Sequence, residues 1–103
     1  MTLSWLDLAK QARSRIRSHF PEDTPLLKSA ELSEKTGLEI YLKLESRQPT
    51  GAYKVRPALN GILTHLNEAK KRGVLTTSSG NFAQAVAWAA KKNRSPSVYR
   101  DDL

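Results

Sequence analysis

The spacing of hydrophobic positions predicts three long helices in this chain. Residues 4–20 and residues 55–72 place apolar side chains three and four positions apart, as an amphipathic helix does. Residues 82–91 are apolar almost all round, which is typical of a buried helix. Pro21 ends the first helical pattern, and Gly73 suits the end of the second.

The first of these helices carries an apolar stripe beside a basic face. Ser4 suits the N-cap, and Asp7 three positions later completes a capping box. We expect the stripe to pack on the protein's own core while the basic side chains face solvent; binding to a membrane or an acidic partner is the alternative for such a helix. The stripe consists of Trp5, Leu8, Ala9, Ala12, Ile16 and Phe20.

Alternating polar and apolar positions predict strands between the helices. Residues 39–45 alternate with a period of two, and residues 74–77 are short and rich in β-branched side chains. Residues 24–27 are extended because they contain proline, and residues 29–35 suit a short helix closed by Gly37. The order strand, helix, strand, helix predicts an α/β fold with some parallel sheet.

The end of the chain breaks this order. A third strand is due after the last helix, but residues 94–103 are polar and contain a proline. We therefore divide the chain into a partial domain over residues 1–93 and a divergent tail over residues 94–103. A parallel pair of strands leaves both edges of its sheet open, so a partner that completes the sheet is one expectation.

Composition excludes several classes of site. The chain has no cysteine, so disulfides, thiolate metal sites and cysteine nucleophiles are excluded. His19 and His65 lie far apart in the sequence, so we expect no metal site. No apolar run is long enough to span a membrane, and the N-terminus lacks the pattern of a signal peptide. We expect a cytoplasmic protein with no membrane partner.

The positive charge favours anionic partners without identifying one. Lysine and arginine number 17 against 10 acidic residues, which gives a net charge of +7. Basic clusters at residues 13–17 and 70–72 raise the possibility of nucleic-acid binding. The chain has no recognisable nucleic-acid motif and no aromatic pattern on a basic face, so we expect no nucleic-acid partner.

Two polar segments carry the candidate chemistry. Lys54 follows a Pro-Thr-Gly turn at the start of a helical pattern, a position that can hold its amine toward a pocket. Residues 76–81 form a polar loop that runs directly into an apolar helix, where free backbone amides bind anions. An amine beside an anion site suits an amino-acid enzyme with an aldehyde cofactor. The alternatives are a surface lysine and simple capping residues.

Three motifs in these regions resemble one enzyme family. LKLE at residues 42–45 with QPTGAYKVR at residues 48–56 resembles the cofactor-lysine signature of pyridoxal-phosphate enzymes of the tryptophan synthase β type. The version here is most similar to serine/threonine dehydratases and more loosely to serine racemases. TPL at residues 24–26 resembles the family's opening, and SSGNFAQ at residues 78–84 resembles its substrate-carboxylate loop. The resemblance implies the N-terminal part of a fold type II three-layer αβα fold, incomplete because the family's enzymes are much longer.

The resemblance also implies a role for each matching residue. Lys54 would bind the pyridoxal phosphate cofactor covalently and then take the α-proton of the substrate. Tyr53 would lie beside the cofactor ring, where the family usually has phenylalanine, and Asn81 would bind the ring's phenolic oxygen. The substrate carboxylate would be held by Ser78, Ser79, Gly80 and Asn81.

The implied reaction is β-elimination of threonine or serine to a 2-oxo acid and ammonia. The alternatives are racemisation of serine, a non-catalytic remnant, and a chain completed by a homo-oligomer or by a separate C-terminal fragment. Ala52, Pro57 and Phe82 depart from the family's usual serine, glycine and histidine. The glycine-rich loop that grips the cofactor phosphate in this family would lie beyond residue 103.

Overall fold

The computed structural model describes residues 2–100, which form five α-helices and four short strands. In chain order the elements are α1 (Trp5–Ile16), β1 (Leu26–Lys28), α2 (Ala30–Thr36), β2 (Tyr41–Lys43), α3 (Val55–Thr64), α4 (Leu66–Arg72), β3 (Val74–Thr77), α5 (Asn81–Lys92) and β4 (Ser97–Arg100). Short 3-10 helices cover Arg17–His19 and Glu45–Arg47. The mixture of helices and strands confirms the predicted α/β class.

The described strands form two separate two-stranded sheets. β1 and β2 are antiparallel, with Leu26 opposite Lys43. β3 and β4 are parallel, with Val74 opposite Ser97. The parallel sheet that the pattern predicted is therefore present, but its second strand comes from the end of the chain.

The prediction that no strand follows the last helix was wrong. After α5 the chain reverses through Arg94, which has a positive φ of 54°, and the amide of Ser95 donates to the carbonyl of Ala90 at 2.9 Å. The reversal brings β4 alongside β3, where pairing uses backbone groups and tolerates a polar sequence. The division of the chain at residue 93 stays a prediction, and residues 101–103 of that tail lie outside the described residues.

The core lies between α3 and α5. Val55 and Leu59 on α3 are fully buried, as are Ala85 and Ala89 on α5. Alanines on α5 let the two helices approach closely, while each buried Val or Leu stabilises the fold by roughly 1.5–3 kcal/mol. Ile16 from the end of α1 packs on the same cluster.

Most of the α1 stripe does not pack on the core, contrary to prediction. The predicted capping box is confirmed, because Ser4 accepts from the amide of Asp7 and donates its own amide to that carboxylate. However, Ile16 is the buried residue of this helix, and Trp5 is 88% exposed. The helix extends past the end of the core. The radius of gyration, 16.5 Å, accordingly exceeds the value of about 13 Å typical of a compact domain of this length.

The helix predicted over residues 55–72 is interrupted at His65. His65 has φ −121° and ψ 37°, outside the helical region, and separates α3 from α4. Its amide still donates to the carbonyls of Gly61 and Ile62, so the backbone changes direction without losing hydrogen bonds. Apolar spacing alone did not predict this break.

Gly73 lies where α4 gives way to β3 and has a backbone conformation that only glycine adopts readily. Its φ is 78° and its ψ is −176°. A Cβ at this position would lie 2.9 Å from the carbonyl oxygen of Pro96. That same oxygen accepts from the amide of Val74 at 2.8 Å, so the contact forms part of the β3–β4 sheet.

We expect Gly73→Ala to destabilise the protein by about 2–3 kcal/mol, because the substitution combines backbone strain with a clash against Pro96. Gly37→Ala is the matched control. Gly37 has a φ of 70° but open space around it, so its substitution should cost only about 1 kcal/mol. Urea unfolding of both variants measures the difference, and equal losses of stability would contradict the packing argument.

Candidate active site

Lys54 stands at the start of α3, as the sequence predicted. It occupies the N-cap position, and its carbonyl accepts from the amide of Ala58 at 3.2 Å. The turn before it is closed by the amide of Gly51, which donates to the carbonyl of Gln48 at 2.7 Å. The positive φ of Gly51, 75°, explains the glycine in this turn. The Lys54 side chain emerges half-buried from this turn.

Two aromatic rings flank the Lys54 amine. The amine nitrogen lies 5.1 Å from the centroid of the Tyr53 ring and 6.0 Å from that of Phe82. Phe82 belongs to the first turn of α5, directly after Asn81. The structure therefore brings the amine next to the start of α5, which is the end of the predicted carboxylate loop.

The first turn of α5 has no side-chain cap, so its leading amides are available. Gly80 is the N-cap, with no side-chain capping hydrogen bond, and its amide donates to the hydroxyl of Ser78 at 3.3 Å. Ser78 is half-buried, whereas Ser79, Gly80 and Asn81 are exposed. A helix start of this kind presents positive potential and free N–H groups to an anion. The specific roles of these residues stay predictions.

The Glu45 carboxylate, for which the sequence predicted no role, binds Arg56 at the start of α3. Glu45 accepts two hydrogen bonds from Arg56, both at 2.8 Å, in a bidentate ion pair. The hydroxyl of Thr24 donates to the same carboxylate at 2.7 Å, and the side-chain Nε2 of Gln48 donates to it at 3.1 Å. The only sequence signal was a pair of opposite charges on either side of the lysine turn.

The Arg56 guanidinium also connects this cluster to α5. It lies 5.7 Å from the centroid of the Phe20 ring, and Phe20 stacks on Trp88 with centroids 5.7 Å apart. Trp88 packs against the core. Contacts thus run from Glu45 through two rings to the helix that begins beside the Lys54 amine.

The hydrogen bonds from Arg56 lower the pKa of Glu45 to about 2, from an ordinary value of 4.5. Burial opposes this effect, while the hydrogen bonds from Thr24 and Gln48 add to it. The same pairing raises the pKa of Arg56. The carboxylate is therefore charged over the whole neutral range.

A large cavity lies beside this region and not at the amine. It is a groove of about 900 Å³ between α1, β2 and α3, with Ile16, Glu45 and Tyr53 among its lining residues. Lys54 and residues 78–81 do not line it. We define the candidate site by the amine and the start of α5, because those groups carry the relevant chemistry.

Residues 2–100 contain neither a group of metal ligands nor a membrane-spanning helix. Within residues 2–100, no group of His, Asp and Glu side chains could hold a metal ion. None of the helices in the same part of the chain is long and apolar enough to cross a membrane.

A model of the pyridoxal-phosphate dependent enzymes matches residues 18–97. The chain belongs to this family. It is 45% identical over 83 residues to an L-threonine ammonia-lyase of Geobacter sulfurreducens, covering 81% of this chain and 20% of that protein. It is 53% identical over 68 residues to an L-threonine ammonia-lyase of Thermotoga maritima, covering 66% of this chain and 17% of that protein.

Solved structures agree with this family membership. The structure of maize serine racemase matches with a TM-score of 0.84 at 36% identity, covering 91% of this pyridoxal-phosphate family chain and 29% of the racemase chain. The predicted fold class, part of a fold type II pyridoxal-phosphate enzyme, is confirmed. The chain spans less than a third of the length of these relatives.

The residues present suit one end of the family's cofactor, pyridoxal phosphate. A primary amine at Lys54 can bind an aldehyde, and the aromatic side chain of Tyr53 next to it suits a flat ring. The free amides at the start of α5 suit a carboxylate. The described glycines are isolated from one another, so none of them forms a glycine-rich phosphate loop within residues 2–100.

Stability should depend on pH through Glu45. Its pKa in the folded protein is below its ordinary value, so its contribution to the free energy of unfolding is complete above about pH 4.5 and is lost as the pH falls toward about 2. We expect Glu45→Gln to destabilise the protein at pH 7 by about 1–2 kcal/mol, a modest figure because the Arg56 side chain is 37% exposed.

Urea unfolding at several pH values measures this effect. The stability of Glu45→Gln should fall less steeply than that of the wild type between about pH 4.5 and pH 2. Glu39→Gln is the control, because the ion pair of Glu39 with Lys28 is exposed. If both variants follow the wild-type pH profile, the Glu45 cluster does not contribute to stability.

Proposed function

We propose that this chain provides the lysine and carboxylate-binding elements of a pyridoxal-phosphate ammonia-lyase for threonine or serine, acting in amino-acid metabolism in the cytoplasm. The observation that carries the proposal is the 6.0 Å separation between the Lys54 amine and the ring of Phe82 at the start of α5. One small amino acid can contact both an amine and a helix start at this spacing. The similarity to two L-threonine ammonia-lyases supports the choice of substrate class.

In this proposal Lys54 has two tasks. Its amine would bind the cofactor aldehyde, and the same amine, when free, would take the proton from the substrate Cα. Pyridoxal phosphate, when bound, supplies an electron sink for the charge left at that carbon. Loss of the β-hydroxyl as water, followed by hydrolysis, converts threonine into 2-oxobutanoate and ammonia, or serine into pyruvate and ammonia.

The other residues orient the reactants. The amides and hydroxyls of Ser78, Ser79 and Gly80 hold the substrate carboxylate at the start of α5, where the helix dipole favours negative charge. Asn81 would hydrogen-bond the phenolic oxygen of the cofactor, and Tyr53 would lie beside its ring. Orientation of this kind lowers the barrier because the reacting atoms are held in place before the proton moves.

Serine racemisation is the second catalytic candidate, and the 36% identity to maize serine racemase favours it. The same proton removal from Cα serves both reactions. They differ in whether the proton returns to the opposite face or the β-hydroxyl leaves. D-serine formation would identify racemisation, and formation of a 2-oxo acid would identify elimination.

A role completed by a partner is the third candidate. β3 and β4 pair only with each other among the described strands, and their outer side chains are exposed, at 66% for Leu75 and 62% for Val98. A homo-oligomer or a separate chain that supplies the remainder of the fold would cover this surface. In that case the chain alone is a non-catalytic fragment.

We expect the wild-type chain to form a pyridoxal-phosphate adduct that borohydride traps on Lys54, and Lys54→Ala to lose it completely. Lys35→Ala is the matched control, because Lys35 is an exposed lysine on α2 paired with Glu31. Mass spectrometry of peptides from the reduced protein locates the adduct. An adduct that persists in Lys54→Ala would refute the assignment of the lysine.

The same measurement separates the partner-completed role from independent cofactor binding. If the wild-type chain forms no adduct alone, co-expression with the remaining part of a threonine ammonia-lyase should restore one on Lys54. Restoration supports completion by a partner. Failure of both experiments contradicts any cofactor-binding role for this chain.

A further inference from the structure

We infer that Glu45 is a positioning residue for the Lys54 amine and acts through Arg56. The importance of this role rests on the proposed function, in which Lys54 carries the chemistry. The contacts that fix the amine beside α5 belong to the protein itself and need no bound cofactor. Four observations lead to it.

The first observation is that the Lys54 amine is not fixed by bonds of its own. Among residues 2–100, its contacts are with the rings of Tyr53 and Phe82, and no hydrogen bond or ion pair reaches it. Ring contacts with a cation are weak and tolerate many positions of the ammonium group. The location of the amine therefore depends on where the backbone at the start of α3 is held.

The second observation is that the Glu45 carboxylate is held from several directions. Arg56 donates to both oxygens, Thr24 donates to Oε1, and Gln48 donates to Oε2. A carboxylate with this set of donors has little freedom to rotate or shift. Thr24 is 7% exposed and Gln48 6% exposed, so the donors are themselves fixed by packing.

The third observation is that the ion pair closes the loop that carries the lysine. Glu45 and Arg56 are eleven residues apart, and Lys54 lies two positions before Arg56. The amide of Arg56 also donates to the carbonyl of Tyr53 at 3.0 Å, so the arginine and the lysine share one turn of backbone. Opening the ion pair would remove the side-chain link between the two ends of this loop.

The fourth observation is that the guanidinium is tied to the helix that the amine must reach. Arg56 lies over Phe20, and Phe20 stacks on Trp88 of α5 with an interplanar angle of 11°. α5 begins beside the amine and carries Trp88 farther along its length. The Glu45–Arg56 pair therefore links the backbone under Lys54 to α5 as well as to the 3-10 helix Glu45–Arg47.

The test measures how fast individual lysines react with a small excess of acetic anhydride, read by mass spectrometry of peptides. The measured quantity is the labelling rate of Lys54 divided by that of Lys35, an exposed lysine on α2. We expect this ratio to rise at least about threefold in Glu45→Gln, because a half-buried amine gains access when its backbone is released. Thr24→Val removes one donor and should give a smaller rise.

Glu39→Gln is the matched control, since it removes a carboxylate from an exposed ion pair in the same part of the chain. The Lys54 to Lys35 ratio should not change in this variant. Far-UV circular dichroism and a thermal melt establish that each variant is folded. Where Glu45→Gln does not fold, Thr24→Val gives the decisive ratio.

A Lys54 to Lys35 ratio equal to that of the wild type in folded Glu45→Gln, or in folded Thr24→Val where Glu45→Gln does not fold, overturns the inference. Labelling that rises equally at all lysines also overturns it, because general loosening is not positioning. A selective rise at Lys54 supports it, whether or not the wild type forms a pyridoxal-phosphate adduct. A selective rise without an adduct, either on the chain alone or after co-expression, therefore counts against the proposed function and not against the positioning role of Glu45.

Where the adduct forms, its visible circular dichroism supplies a second readout. A cofactor fixed in one orientation gives an induced signal, whereas a cofactor on a mobile side chain gives little. We expect the signal per adduct to fall at least about threefold in Glu45→Gln and to stay unchanged in Glu39→Gln. An unchanged signal in folded Glu45→Gln also overturns the inference.

Discussion

The packing of α3 on α5 determines where the rest of this molecule lies. Val55 and Leu59 on one helix and Ala85 and Ala89 on the other are fully buried, so these helices hold each other at a fixed separation. Lys54 begins α3 and Asn81 begins α5. The contact between the Lys54 amine and the Phe82 ring shows that both helices begin at the same place. A hydrophobic contact thus creates a polar site at its end.

The Glu45–Arg56 pair complements this contact. The helix pair fixes the backbone of α3, while the ion pair fixes the loop that precedes it. The stacked rings of Phe20 and Trp88 connect the two. A positively charged chain needs few acidic residues for this arrangement, because one carboxylate serves several donors.

Local pattern predicted most of the helices because their formation depends on nearby residues. Ser4 and Asp7 define the start of α1, and Gly73 the end of α4. The break at His65 was not predicted, since the apolar spacing continues through it while the backbone does not. Strand β4 was missed for a related reason: its pairing with β3 depends on a chain reversal at Arg94 and not on its own composition.

The candidate site, like the fold, was predicted where it depends on neighbouring residues and missed where it depends on contacts in space. The motifs around Lys54 and residues 78–81 were visible in the sequence because each is a short, contiguous segment. The roles of Thr24 and Gln48 were not visible, since they depend on where a carboxylate lies in space. The exposure of Trp5 was also missed, because periodicity gives the face of a helix but not the length of the surface opposite it.

Within residues 2–100 no third strand pairs with the β3–β4 sheet, and the edges of this sheet have a consequence for newly made copies of the chain. Such edges offer free backbone groups to any extended polypeptide, and here apolar side chains such as Leu75 and Val98 accompany them. Newly made copies therefore face a competition between correct assembly, mutual aggregation and capture by chaperones or proteases. A strand of another chain that paired with these edges would compete with aggregation and raise the cellular abundance of the chain.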